Sequence, residues 1–167
     1  MKNWIFFGLL FWGFTSFKNS HVDMNEVREL YQQAIRNENS CKKLIEISSV
    51  YSQNNNLVLL GYKGSGMMLM AKHEFNPFSK MSYFKKGKEM LEKAIAGDKK
   101  NIELRFLRFT AQTNMPAFLG YNSSIEEDKK SILNSFGEIK DANLKELMVP
   151  VLNKSKYLSA KERQQLK

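Results

Sequence analysis

Cysteine, histidine and proline are all scarce in this sequence, and each scarcity excludes something. One cysteine, Cys41, rules out an intramolecular disulfide. Two histidines, His21 and His73, leave too few ligands for a usual zinc site. His73-Glu74 starts an H-E-x-x-H pattern, but Pro77 stands where the second histidine belongs. With three prolines and no Gly/Ser/Pro-rich tract, no linker divides the chain, and runs of alternating β-formers are weak throughout. The glycines of G-Y-K-G-S-G (Gly61, Gly64, Gly66) match neither phosphate-loop spacing, and no strand precedes them. Ser65 also lacks the glycine two places earlier that a nucleophile elbow requires. No catalytic spacing and no cofactor or metal motif is present, so no cofactor is expected.

What is present is helical periodicity. Over residues 81–96, stepping about 100° per residue puts Tyr83, Phe84, Gly87, Met90, Leu91, Ala94 and Ile95 on one arc. Lys85, Lys86, Glu89, Glu92 and Lys93 fall opposite. Gly87 inside the apolar arc costs helix propensity, which points to a helix pressed closely against it. The same reason accounts for the small residues of 61–66. A second helix over 101–113 is apolar on two flanks: Leu104, Leu107 and Ala111 on one, Ile102, Phe106 and Phe109 on the other. Such a helix is sandwiched between neighbours. Its remaining polar strip, Arg105, Arg108 and Gln112, is expected to face a groove or solvent.

Further helices are expected from Asp23 or Asn25 to about 37, from Ser40 onward, over 57–73, from Ser124, from Asp141 and from Ser159. Ser124 with Glu127 and Ser159 with Glu162 both have capping-box spacing. Glu74–Lys80 is read as a corner, and Pro150 as a kink or stop. Together these give an all-α domain over residues 21–167. Its architecture is stacked antiparallel hairpins, as a right-handed solenoid or a compact bundle, with about seven helices.

Gly87, Leu91, Ala94, Ile95 and Asp98 resemble the second-helix pattern of a tetratricopeptide repeat, although Lys99 stands where that repeat usually has proline. NPFSKMSYFKKGKEMLEKAI, NIELRFLR and NMPAFLGY together resemble a group of small exported bacterial proteins, over roughly residues 57–133. That resemblance implies a helical, TPR-like fold and an extracytoplasmic compartment, and it implies no reaction.

The N-terminus points the same way. Lys2 precedes an uncharged, mostly large apolar run, Asn3 to Phe17, short for a membrane span of about 20 residues and suited to a signal-peptide core. Residues 1–20 are therefore read as a signal peptide and the product as periplasmic or secreted, or membrane-anchored if the segment is not cut. Cleavage would lower the net charge from +9 to +7, since it removes Lys2 and Lys18 and no acid. That excess reads as a solvated basic surface. Anionic membrane or glycan contact is the alternative, and nucleic acid is not expected.

The functional expectation is a binding or scaffolding module with a protein partner in the cell envelope. Its candidate binding residues are Arg105, Arg108, Gln112, Phe118 and Tyr121. The arginines could fork onto a carboxylate or phosphate, or pair internally with Glu103, Glu127 or Asp128. The aromatic corners (Phe75, Pro77 and Phe78; Pro116, Phe118 and Tyr121) read as core plugs or as the walls of a recognition pocket. The competing enzymatic reading needs His73 to converge with Glu103 and the two arginines. Cys41, on an apolar face, reads as buried and inert, with a Cys41–His73 pair the alternative. Glu126, Glu127 and Asp128 read as acids at a helix N-terminus rather than as a carboxylate metal site.

Overall fold

A computed structural model describes residues 22–52 and 55–166. The expected signal segment, residues 1–20, lies outside them. Among the described residues there are eight α-helices, three short 3-10 turns and no strand. The helices are α1 (Met24–Ala34), α2 (Glu38–Ser52), α3 (Leu57–His73), α4 (Pro77–Gly97), α5 (Ile102–Asn114), α6 (Ile125–Ser135), α7 (Ala142–Lys154) and α8 (Ala160–Arg163).

Side-chain caps set most of the starts. Asp23, Asn56, Asn76, Asn101 and Asp141 each accept a hydrogen bond from a backbone N–H of the first turn that has no partner within the helix. Ser159 and Glu162 form the expected reciprocal box. Four local expectations are corrected. The corner at 74–80 is mostly helix: Asn76 caps, and Pro77 occupies the first helical position, where its missing N–H is no loss. The α2 start precedes Ser40, because the Asn37 side chain accepts from the Ser40 N–H. Ser124 makes no capping bond, since its backbone is not in the extended conformation of the other side-chain caps, and Glu127 turns away to Arg105. Pro150 does not stop α7, which continues to Lys154 with Leu147, Met148 and Leu152 holding it to the core.

The hairpins stack in chain order: α1 packs on α2, α2 on α3, α3 on α4, and α5 on α6. Helix α3 is central, since it also meets α1 and α5. In the α3–α4 hairpin the two backbones touch. A Cβ built on Gly64 would lie 2.6 Å from the Gly87 carbonyl oxygen, and one on Gly87 would lie 2.5 Å from the Gly64 oxygen. The glycines therefore exist for close approach, as the expected crowding around Gly87 requires. Helix α7 returns to pack on α1, where Arg28 bonds Asp141 and Asn143 donates to Asn25. Contact between the first and seventh helices is the geometry of a compact bundle, because a linear stack would hold them apart. None of the described helices is long and apolar enough to cross a membrane.

Candidate functional site

Arg105, Arg108 and Gln112 share one face of α5, as expected, but that face is covered by α6 and is neither a groove nor solvent-exposed. Asp128, fully buried on α6, is the hub. It accepts from Arg105 Nη1 at 2.9 Å and from Arg108 Nε and Nη2 at 2.7 and 2.8 Å, the second a side-on bidentate pair. Arg105 also holds Glu127 and the Lys99 carbonyl, and Arg108 holds Glu92. Gln112 accepts from the Ser124 N–H, so it restrains the chain entering α6. Tyr121 is buried, donates to Glu92 at 2.6 Å and stacks edge-on against Phe84. Four of the five candidate binding residues are thus engaged inside the protein. The acids of α6 are engaged as well: Glu126 pairs with Lys129.

A second buried cluster ties α1, α3, α5 and the start of α7. Arg28 grips Glu103 with Nε and Nη2 at 2.8 and 2.9 Å, Tyr62 donates to the same carboxylate at 2.6 Å, and Arg28 Nη1 reaches Asp141 at 2.8 Å. Burial alone would raise the Asp141 pKa. The Leu144 N–H and the Arg28 guanidinium together outweigh it and hold the carboxyl below its ordinary value. His73 lies elsewhere. It is eleven residues beyond Tyr62, about 16 Å along α3, and its Nε2 donates to the Ala34 carbonyl at 3.0 Å. With Lys72, which reaches the Ile35 carbonyl, it caps the end of α1. The histidine and Glu103 therefore do not share a cavity. Cys41 is buried and donates to the Gly66 carbonyl, and burial pushes its thiol up to about 11, so it is protonated at neutral pH.

The open space in the bundle is one helical turn further along α5. The C-terminal halves of α3 and α5 and the start of α4, with the ends of α1 and α7, enclose a cleft of about 1110 Å³. Its walls are mostly apolar, including Ile35, Met68, Leu69, Met81, Phe84, Ala111, Met115, Leu119 and Val151. Phe118, the fifth candidate, lines it and is 84 % exposed; Pro77 and Pro116, at the two proline corners, also line it and are exposed. Phe75 and Phe78, beside Pro77, are 98 % and 86 % exposed. These three phenylalanines are not core plugs; Tyr121 alone of the aromatic corner residues is buried.

Polar residues interrupt the walls, among them Tyr31, Ser65, Thr110, Thr113, Asn114 and Ser155. Ser65, on the buried face of α3, is among the residues lining the cleft, and its hydroxyl is itself buried without a hydrogen-bond partner. Tyr31 lines it too, and burial pushes its phenol well above the usual range while the Thr110 hydroxyl beside it pulls the other way. Among the described residues the only charged ones lining it are Lys72, Lys80, Lys154 and Lys156. All four are exposed, so their amines stand at the rim.

Periodicity does not reveal this cleft, because Met68, Phe84 and Ala111 read as ordinary inward positions. The available signal was the pair of proline corners with an aromatic on each side. Among the described residues no group of three His, Cys, Asp or Glu side chains is placed to hold a metal ion. The chain matches no protein-family model, no curated protein and no solved structure.

Proposed function

We propose that this chain is a helical binding module whose working site is the cleft at the C-terminal end of α5, with the Arg105–Arg108–Gln112 strip as its frame. The observation that carries this reading is a cavity of about 1110 Å³ with apolar walls and large apolar side chains left in water at its edge. Small-molecule sites are concave, mostly apolar and about 300–1,000 Å³ in volume. The cleft is slightly above that range, so the guest is a small molecule or a short apolar segment and not a broad protein face. Folded proteins leave single apolar side chains exposed as a matter of course. A set gathered around one opening is different and marks a place of contact. Work outside the cytoplasm belongs to the same proposal and is supported by the apolar run of residues 3–17 and by the resemblance to small exported proteins.

The test is equilibrium titration with a neutral, environment-sensitive dye such as N-phenyl-1-naphthylamine. Saturable binding of one dye per chain is expected, with a blue-shifted emission. Ala111→Trp, which fills the cleft from α5, should abolish binding while far-UV circular dichroism is unchanged. Ala71→Trp enters the same space from α3 and serves if the first variant folds poorly. A dye that binds both filled variants as well as the parent refutes the assignment.

A further inference from the structure

We infer that the guest of the cleft is a single-chain anionic amphiphile, a long-chain carboxylate being the simplest case, with its tail among the methionines and phenylalanines and its charged end at the lysine rim. This rests on the cleft being the working site and adds the chemistry of the occupant. The charge pattern argues for it. A basic protein that carries 17 acidic residues places four lysines and no Asp or Glu around this opening. Elsewhere some lysines are matched: Lys42 with Glu38, Lys43 with Glu26, and Lys129 with Glu126 and Glu162. None of the rim lysines has a carboxylate partner among the described residues. Lys72 reaches a backbone carbonyl and Lys156 lies over the Tyr157 ring.

The interior fits the other end of such a molecule. Met68 and Met81 are unbranched and adapt their shape to a flexible chain. A cationic amphiphile would meet four like charges at the entrance, and a fully apolar guest would leave the amines without a counterion.

The experiment is displacement of the neutral dye by a homologous series of alkyl carboxylates from ten to sixteen carbons, each below its micellar concentration. Trimethylammonium compounds of equal chain length run in parallel. One carboxylate per chain is expected. Each added methylene should tighten binding about three- to fourfold, from about 0.8 kcal/mol per buried CH2. The carboxylate should exceed its cationic counterpart about tenfold, a preference that shrinks as salt is raised. Lys80→Gln with Lys154→Gln should erase most of that preference and leave dye affinity unchanged. Equal displacement by both head groups, or a preference untouched by the lysine substitutions, overturns the inference while leaving the cleft intact. Displacement by an acidic amphipathic peptide but by no carboxylate overturns it in favour of a protein partner. Failure of the dye itself to bind would remove the cleft assignment as well.

Discussion

Asp128→Asn isolates the charge that holds α5 to α6. The substitution keeps the side-chain volume and removes the negative charge facing two guanidiniums that are themselves buried. Breaking a buried ion pair by neutralising one partner typically costs about 3–5 kcal/mol, because the remaining charge is left in a poor environment. Here each arginine keeps at least one other carboxylate, Glu127 for Arg105 and Glu92, with Glu127 at 3.9 Å, for Arg108, and both of those acids reach solvent. The expected loss is therefore near the lower end, about 3 kcal/mol, or roughly 6–12 °C in Tm for a chain of this size. Urea unfolding followed at 222 nm measures it directly. The combined variant Arg105→Met, Arg108→Met, Asp128→Leu removes the whole set of buried charges, so its unfolding midpoint should return close to the parent's. It should also bind the dye normally. A parental midpoint for Asp128→Asn would refute the buried-hub reading. A combined variant that folds yet no longer binds would make the arginines part of the site after all.

Gly87→Ala should lower stability by up to about 2 kcal/mol. The gain in helix propensity, about 1 kcal/mol, is outweighed by overpacking of about 1–3 kcal/mol, since the new methyl would press on the Gly64 carbonyl and the Met68 backbone, neither of which can move aside. Gly137→Ala meets no atom within 4 Å and should leave the urea midpoint within about 0.5 kcal/mol of the parent, which makes it the control. Alkaline stability should fall above about pH 10. Burial raises the pKa of Tyr31, Tyr62 and Tyr121 above the unfolded value, helped by the Glu103 charge at Tyr62 and the Glu92 hydrogen bond at Tyr121. A group whose folded pKa is raised contributes stability that is intact below the unfolded pKa and is lost as pH rises towards the folded one. Absorbance at 295 nm should show these three phenols ionising only together with loss of helicity. Ionisation of all tyrosines near pH 10 in a still-helical protein would contradict their burial.

The helices were legible because their signals are local. The apolar arc of residues 83–95 and the caps at Asp23, Asn101 and Asp141 depend on neighbours within a turn or two, and the folded chain uses them as written. The tight hairpin was legible for a similar reason, since Gly87 stands among large apolar residues where a helix would otherwise avoid glycine. Pro77 also carried a local signal, Asn followed by Pro, whose meaning as cap and first residue is as regular as its meaning as a corner. The destination of Arg105 and Arg108 was not legible. Periodicity places them on one face of α5 but does not say what covers that face, and α6 arrives there only because its own apolar residues, Ile125, Ile132 and Phe136, need the same core. The cleft was hidden more deeply, because its walls come from five helices and each contributes residues that look inward in isolation.

The arrangement along α5 explains why the cleft can stay open. Its first two turns carry Glu103, Arg105 and Arg108, each fixed by two or more charged or hydrogen-bonded partners from α1, α3, α4 or α6. Its last turns carry Thr110, Ala111, Thr113 and Asn114 into the cleft wall, where the Thr113 hydroxyl and the Asn114 amide bond back to α5 carbonyls rather than across the space. An apolar cavity in a bundle of flexible helices would tend to collapse, since every wall gains by closing on the others. Here collapse would require α5 to tilt, and tilting it would pull Glu103 from Arg28 and Asp128 from both guanidiniums. The buried ion clusters contribute little net stability against a hydrophobic alternative. Their directional bonds fix the angle of the helix, and that angle sets the width of the opening at its far end.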